Sequence, residues 1–318
     1  LWYISKEMNR PDSTISRYIS GRASKGSNRY LASGGRGRAL SNYEKQGRKK
    51  KLKDNIKLLE HVTGKLKIGW SPEQISGRLP KELPKDKSMR ISYESIYTYI
   101  YDQIRREGSG SVKPGCKDLR KYLPRRHTRR QKKGLRQTQK VERESNLPSI
   151  EIRPKEADKR GIIGHWEGDT MVSRQSDARI KSMNERTSGV VFFGKTKNGT
   201  AAECDRVLME RLSAIDPEFR KTLTQDRGTE NYGYRNVEKS LGISCYFAHS
   251  YCSYERGSNE NLNGLFRRYF PKKTDFAKLT DEDIRKAEYL INSRPRKRHN
   301  FLTPLEVFFI KTGVALES

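Results

Sequence analysis

Gly164-His165-Trp166-Glu167-Gly168-Asp169-Thr170-Met171-Val172 reads as a β-strand. Alternation along it puts His165, Glu167 and Asp169 on one face and Trp166, Gly168 and Thr170 on the other. Three ionisable groups on one side of a covered strand are costly unless they line a site, because charge without partners is strongly unfavourable away from water. An edge strand with that face in solvent would carry the same letters at no cost. The residues that follow decide the class. Ile180 to Glu185 reads as a second strand and the apolar run Val190 to Phe193 as a third. Thr200 opens a helix with Cys204, Val207, Leu208 and Leu212 on one face. Leu223 to Gln225 is then a short strand, the region of Val237 and Leu241 a helix, and Ser244 to Ala248 another strand. Strands first, then strands alternating with helices, predict an α/β sheet covered by helices.

Two further carboxylates stand where such a sheet gathers ligands. Asp226 ends the Leu223–Gln225 strand and precedes Arg227-Gly228. Strand ends in α/β sheets are the usual binding positions, although Asp-x-Gly is also an ordinary turn. From Glu255 to Phe270, helical spacing puts Arg256, Glu260, Asn263 and Arg267 on one stripe and Leu262, Leu265, Phe266 and Tyr269 on the opposite one. That helix packs its apolar side and presents Glu260 between two arginines; on a solvated face those arginines would simply pair with Glu260 at i,i+4. Three carboxylates converging at about 4 Å would repel by several kcal/mol even at an effective dielectric near 20. Divalent metal removes the conflict. Asp and Glu oxygens suit Mg²⁺, and two ions about 3.5 to 4 Å apart stabilise both oxygens of an in-line phosphodiester displacement.

The part of the chain before this region is of a different kind. Residues 1–150 carry 37 Lys and Arg against 14 Asp and Glu, whereas residues 151–318 carry 30 against 24. A net charge of +29 on 318 residues draws in a polyanion, and nucleic acid is the first candidate. No apolar run approaches the roughly 18 residues a spanning helix needs, so a membrane partner is not expected. Four scattered cysteines make no disulfide framework. Residues 2 to 19 read as two short helices around a turn at Asn9-Arg10-Pro11, with Ile4, Met8, Ile15 and Ile19 inward and Ser13, Thr14, Ser16 and Arg17 outward. This is the pattern of a helix-turn-helix that reads DNA, and also of an ordinary helical hairpin. Leu58, Leu59, Val62 and Leu66 share one face of a later helix. Ser71-Pro72-Glu73-Gln74 is a helix start with a capping box, and Ser92 caps a helix carrying Ile96, Tyr97, Ile100 and Tyr101. Between Lys121 and Lys140 nine of twenty residues are basic and none acidic. Such a stretch stays extended until phosphates neutralise it, with Arg125, Arg126, Arg129 and Arg130 as contacts.

The domains expected are a helix-turn-helix segment over 1–40, a second helical DNA-binding module over 41–120, a basic linker over 121–150 and the α/β domain over 151–318.

Gly164 to Asp169, Asp226-Arg227-Gly228-Thr229-Glu230 and Arg256 to Gly264 resemble the three catalytic blocks of the IS-thirty family of insertion-sequence transposases. The 33 residues between Asp226 and Glu260 match that family's acidic triad. Arg267 to Lys272, Asn292 to Lys297, Thr303 to Phe308, Trp70 to Ile75 and Ser13 to Arg17 extend the similarity over nearly the whole chain. The resemblance implies a multidomain protein, with N-terminal all-α helix-turn-helix modules followed by a ribonuclease-H-like, integrase-type core. It implies two Mg²⁺ (Mn²⁺ as a substitute) held by Asp169, Asp226 and Glu260, Asp169 bridging them. It implies double-stranded DNA as partner, both element ends and target, with Ser13, Thr14, Arg17, the linker arginines, Arg256, Asn263 and Arg267 as contacts. No small-molecule substrate is implied, but a homodimer or larger assembly is, in a bacterial cytoplasm at the nucleoid. A catalytically silent DNA-binding regulator derived from a transposase is the alternative. Two positions depart from the family. Arg227 replaces the usual Asn, which would put a cation near the metals, and Tyr251 to Glu255 replaces Tyr-Ser-Pro-Trp-Gln.

Overall fold

The computed structural model describes residues 1–20, 37, 40–41, 51–105, 110–123, 147–249 and 257–316; of Tyr18, Ser20, Gly257 and Glu260 only the backbone is described. The chain divides into two compact units, Leu1–Ile56 and Lys57–Ser318. In the first, α1 (Trp2–Glu7) and α2 (Asp12–Ser20) are separated by a turn in which Asn9 takes the left-handed conformation, φ 48°. Ile15 is buried as its spacing predicts, and Ser13, Thr14 and Arg17 are exposed. Ile4 and Met8 are not inward: they are 42% and 62% exposed. A six-residue helix makes under two turns and has little surface with which to bury an apolar stripe. A four-residue helix, α3 (Lys51–Asp54), closes this unit's described elements.

The second unit is built on a five-stranded sheet of order β3-β2-β1-β4-β5. β1 (His165–Val172), β2 (Arg179–Glu185) and β3 (Val191–Thr196) form an antiparallel meander; β4 (Thr222–Gln225) and β5 (Ser244–Phe247) run parallel to β1. This mixed order, with the longest strand at the centre, is the ribonuclease-H-like arrangement the resemblance implies. Both faces are covered. On one, Trp166, Met183, Phe192, Leu223 and Phe247 pack under α8 (Ala201–Ser213) and α9 (Tyr234–Leu241), with Trp166 stacked on Phe192 at 5.5 Å. On the other, Met171, Ile180, Val191 and Phe193 meet α10 (Gly257–Tyr269) and α11 (Asp281–Asn292), with Phe193 against Phe266 at 4.7 Å. Burying each such side chain contributes roughly 1.5–3 kcal/mol. β1 is therefore a covered central strand, and the edge-strand reading does not hold.

Ahead of the sheet, α4 (Ile56–Lys67) buries Leu58, Val62 and Leu66, and α6 (Tyr93–Asp102) buries Ile96 and Ile100. Between them, α5 (Pro72–Glu82) starts at the expected capping box, both halves formed between Ser71 and Gln74. Gln74 then does a second job: its Nε2 donates to the Pro295 carbonyl at 2.7 Å. Arg78 makes a fork with Glu306 at the start of α12 (Pro304–Thr312), and Arg294, 1% exposed, donates to the Gly69 carbonyl. Gly77 lies against the Phe301 ring so closely that a Cβ there would stand 2.3 Å from it. These contacts seat the α4–α6 module on the segment between α11 and α12, within one compact unit.

Candidate active site

β4 pairs with β1 so that Glu167 lies opposite Thr224. Carried two residues further, the same register would bring Asp226 level with Asp169 on the same face, with neighbouring strands about 4.8 Å apart. The ladder itself ends at Glu167 and Thr224, and Asp226 follows the last residue of β4. Burial lowers the Lys181 pKa, and both aspartates lie close enough to oppose that shift. Asp169 Oδ2 accepts from Asn263 Nδ2 at 2.7 Å. Asp226 Oδ1 accepts from the Gly228 N–H at 3.3 Å and from Asn231 Nδ2 at 2.7 Å, so the turn after β4 folds back onto its own carboxylate.

α10 is fixed to β1 beside this pair. Asn259 Nδ2 donates to the Gly168 carbonyl at 3.3 Å, and Asn263 reaches Asp169 one turn later. Glu260 lies in the helix between these two anchors, so its backbone is held next to residues 168 and 169; its side chain lies outside the described residues. Among the described residues no group of three or more His, Cys, Asp or Glu stands ready to hold a metal. The carboxamide oxygens of Asn259 and Asn263 are buried without a hydrogen-bond partner among the described residues. Unpartnered buried oxygens beside a carboxylate are an unusual cost in a folded protein.

A residue the sequence reading did not single out completes the geometry. Lys181, opposite Thr170 on β2, is fully buried; its Nζ donates to Asn231 Oδ1 at 2.6 Å and lies 3.4 Å from Thr170 Oγ1. Asn231 thus turns its oxygen to the lysine and its nitrogen to Asp226, an orientation it cannot reverse without setting NH₂ against ammonium. Burial holds the Lys181 pKa below its ordinary value, against the pull of Cys204, Asp226, Glu230 and Asp169. The signal was present in the sequence: a lysine in a strand covered on both faces must have a polar partner.

The other members of the expected set lie elsewhere. Glu167 is fully buried and ion-paired with Arg186, which also donates to the Ala157 carbonyl at 2.9 Å. His165 Nδ1 is 2.9 Å from Thr222 Oγ1, and burial, then the Lys221 charge, lowers its pKa. Arg267 donates to the Val172 carbonyl at 2.8 Å and lies over the Phe276 ring at 4.8 Å. Arg227 points its Nε to the Ala248 carbonyl at 3.2 Å, tying the turn after β4 to the end of β5. Arg125, Arg126, Arg129, Arg130 and Arg256 lie outside the described residues. Among the described residues no helix is long and apolar enough to cross a membrane.

No family model matches the chain. It is 35% identical over 314 residues to the transposase InsI for insertion sequence element IS30A of Escherichia coli (strain K12), covering 98% of this chain and 79% of that one. It is 32% identical over 241 residues to the transposase for insertion sequence element IS1086 of Cupriavidus metallidurans, covering 75% and 68%. It is 33% identical over 246 residues to the transposase for insertion sequence element IS4351 of Bacteroides fragilis, covering 76% and 70%. Among solved structures, the HTLV-2 integrase catalytic core domain in complex with magnesium aligns with 46% of this chain and 96% of its own length, at 18% identity and a TM-score of 0.37. That likeness is too slight to carry weight.

Proposed function

Since the chain belongs to the IS30 family of insertion-sequence transposases, we propose that it cuts and joins DNA at a two-metal site held by Asp169, Asp226 and Glu260. The observation that carries this reading is that Asp169 of β1 is held by Asn263 of the helix that bears Glu260, while Asp226 directly follows β4, the strand paired with β1. The donors are oxygen only, which suits Mg²⁺ or Mn²⁺ and disfavours softer metals. The buried, unpartnered amide oxygens of Asn259 and Asn263 add to that fit. When bound, the ions supply activation of the attacking oxygen and stabilisation of the leaving one.

The chain's own residues supply position. Asn263 fixes the rotamer of Asp169, and Asn231 that of Asp226, itself held from behind by Lys181. A positive charge buried beneath two carboxylates reduces their mutual repulsion, so the pair stays assembled before metal enters. Water would first free a 3′-OH at the element end, and that hydroxyl would then attack a second phosphodiester, with no covalent protein intermediate. Hydrolysis takes up one water and leaves one phosphodiester fewer, as a 3′-OH and a 5′-phosphate, whereas the transfer step breaks one phosphodiester and makes one, with the target strand's 3′-oxygen leaving as a hydroxyl.

The exposed side of α2, with Ser13, Thr14 and Arg17, is the proposed reader of the terminal inverted repeats, and the basic run over 121–150 the proposed phosphate contact. Holding two ends at once calls for a dimer or larger assembly on DNA. The test is nicking and joining of element-end duplex in Mg²⁺ by the purified chain. Activity is expected to disappear on chelation and in Asp226→Asn while end binding persists. Unimpaired joining by Asp226→Asn, or binding without any cleavage in Mg²⁺ or Mn²⁺, refutes the reading.

A further inference from the structure

The side of α10 turned away from Asn259 and Asn263 lines a recess of about 320 Å³, in the size range of ligand pockets. Arg160, Arg296, Lys297 and Arg298 line it, and among the described residues no carboxylate does. None of the ion pairs formed among the described residues involves any of these four. The acids nearest in effect to Arg298, Glu185 and Glu167, are already committed, one to Ser188 and the other to Arg186. Four cations around one hollow repel each other unless an anion joins them. Burial first, then Arg294 and Arg298, push the Arg296 pKa down to about 10, while its Nη2 donates to the Ile291 carbonyl at 3.2 Å.

The cations are placed by the backbone. Gly189, in the turn between β2 and β3, has φ +77°, and a Cβ there would stand 2.3 Å from Arg298 Nη2. Only glycine lets that guanidinium lie against the turn. Arg160 takes the left-handed conformation after α7 (Glu156–Lys159) and donates from Nη2 to Ser258 Oγ at 3.2 Å. Ser258 belongs to the first turn of α10, and the recess runs from there along the helix past Asn261, Leu262 and Leu265.

We propose that this recess is a DNA-contact site that holds one backbone phosphate of duplex DNA, on the far side of the helix that carries Glu260 and outside the reacting phosphodiester. It rests on the transposase reading only for the identity of the polyanion. One rigid helix then links a sequence-independent grip to the carboxylates, so that seating a phosphate also sets the register of the reacting strand.

The experiment is equilibrium binding of a random-sequence duplex by the full chain across a salt series, read by fluorescence anisotropy. Lys297→Gln with Arg298→Gln is expected to lower affinity about tenfold and to reduce the salt slope by about 1, the counterion release of one phosphate. Arg298→Lys is expected to keep most of the slope. Asp226→Asn is expected to keep all of it, so failure of the grip and failure of the catalytic reading are separately visible. A comparison variant, Arg235→Gln with Lys239→Gln on α9, removes the same charge elsewhere. An equal loss there, or an unchanged slope in the recess variant with its circular dichroism and melting temperature intact, overturns the proposal. Stabilisation of the parent but not the variant by millimolar inorganic phosphate, with the DNA slope unchanged, also overturns it and assigns the recess to a small phosphate ligand. Should the double variant fail to fold, Arg298→Gln alone is measured against the same criteria.

Discussion

Glu167 and Asp169 are two residues apart on the same face of the same strand, yet the two halves of β1 treat their charges in opposite ways. Around Glu167 the protein supplies a cation: Arg186 pairs with one carboxylate oxygen, Ala157 holds Arg186, and the group is sealed from solvent, its Oε2 without a hydrogen-bond partner among the described residues. Around Asp169 the carboxylate is held by an amide. That amide, from Asn263, orients it, a second aspartate, Asp226, follows the neighbouring strand, and Lys181 is buried, its pKa lowered by that burial against the opposing pull of both acids. A buried charge paired inside the protein is a piece of the frame, whereas the proposed function gives Asp169 and Asp226 an external cation to hold.

Several substitutions would break or sharpen that contrast. Asp169→Asn keeps the shape and the Asn263 contact but weakens the proposed metal grip; strand joining is expected to fall at least about 1,000-fold, as several kcal/mol of transition-state stabilisation are lost. Its melting temperature should move little, and a large drop instead would make Asp169 a frame residue like Glu167. Glu167→Ala should do the reverse. Leaving Arg186 buried with only its longer pair to Asp158, at 3.7 Å, costs up to about 3–5 kcal/mol of stability in denaturant unfolding, with turnover per folded molecule nearly unchanged. Lys181→Met removes the cation behind Asn231 and frees that amide to turn. We expect kcat to fall about tenfold, near 1.4 kcal/mol of barrier, with DNA affinity preserved, because Lys181 is sealed from any ligand's reach. Equal loss of binding would mean that the substitution had loosened the sheet instead.

The smallest effect concerns pH. His165 is held neutral by burial and by Lys221, so its folded pKa lies below the unfolded value near 6.5. As pH drops below about 6.5 the unfolded chain takes up a proton that folded His165 refuses, and stability declines until the lowered folded pKa is reached. His165→Asn should shrink that decline, measured as the difference in unfolding free energy between neutral and mildly acidic buffer. An unchanged pH dependence would place the acid sensitivity at His61 or His299, whose pKa values burial also lowers.

Much of this was legible in the residues because it is local. The strand of β1, the Thr200 start of α8, the Ser71–Gln74 capping box and the buried face of α4 each follow from spacing over a few residues. The apolar stripe of α10 was equally readable, and Leu262 and Phe266 are in the core as expected. The polar stripe of that helix was not. Asn263 and Arg267 share it, but one turns to Asp169 and the other to a carbonyl and an aromatic ring, a choice made by what each meets across the gap. Lys181 was passed over for the same reason: its partner Asn231 is fifty positions away. The inward placement of Ile4 and Met8 failed because periodicity gives a direction, and burial requires a neighbour that a short helix did not find.

Sequence alone determined the order of strands and helices, the family, and the separation of a basic first half from a mixed second half. These depend on short-range backbone preference and on side-chain chemistry, both written in the residues themselves. Tertiary structure alone decided that Asn263 holds Asp169, that Asn231 joins Lys181 to Asp226, that the α4–α6 module sits on residues 294–306, and that four cations share one hollow. Each of those facts is a contact between residues far apart in the chain, and such contacts are fixed only when strand register and packing close the whole unit at once.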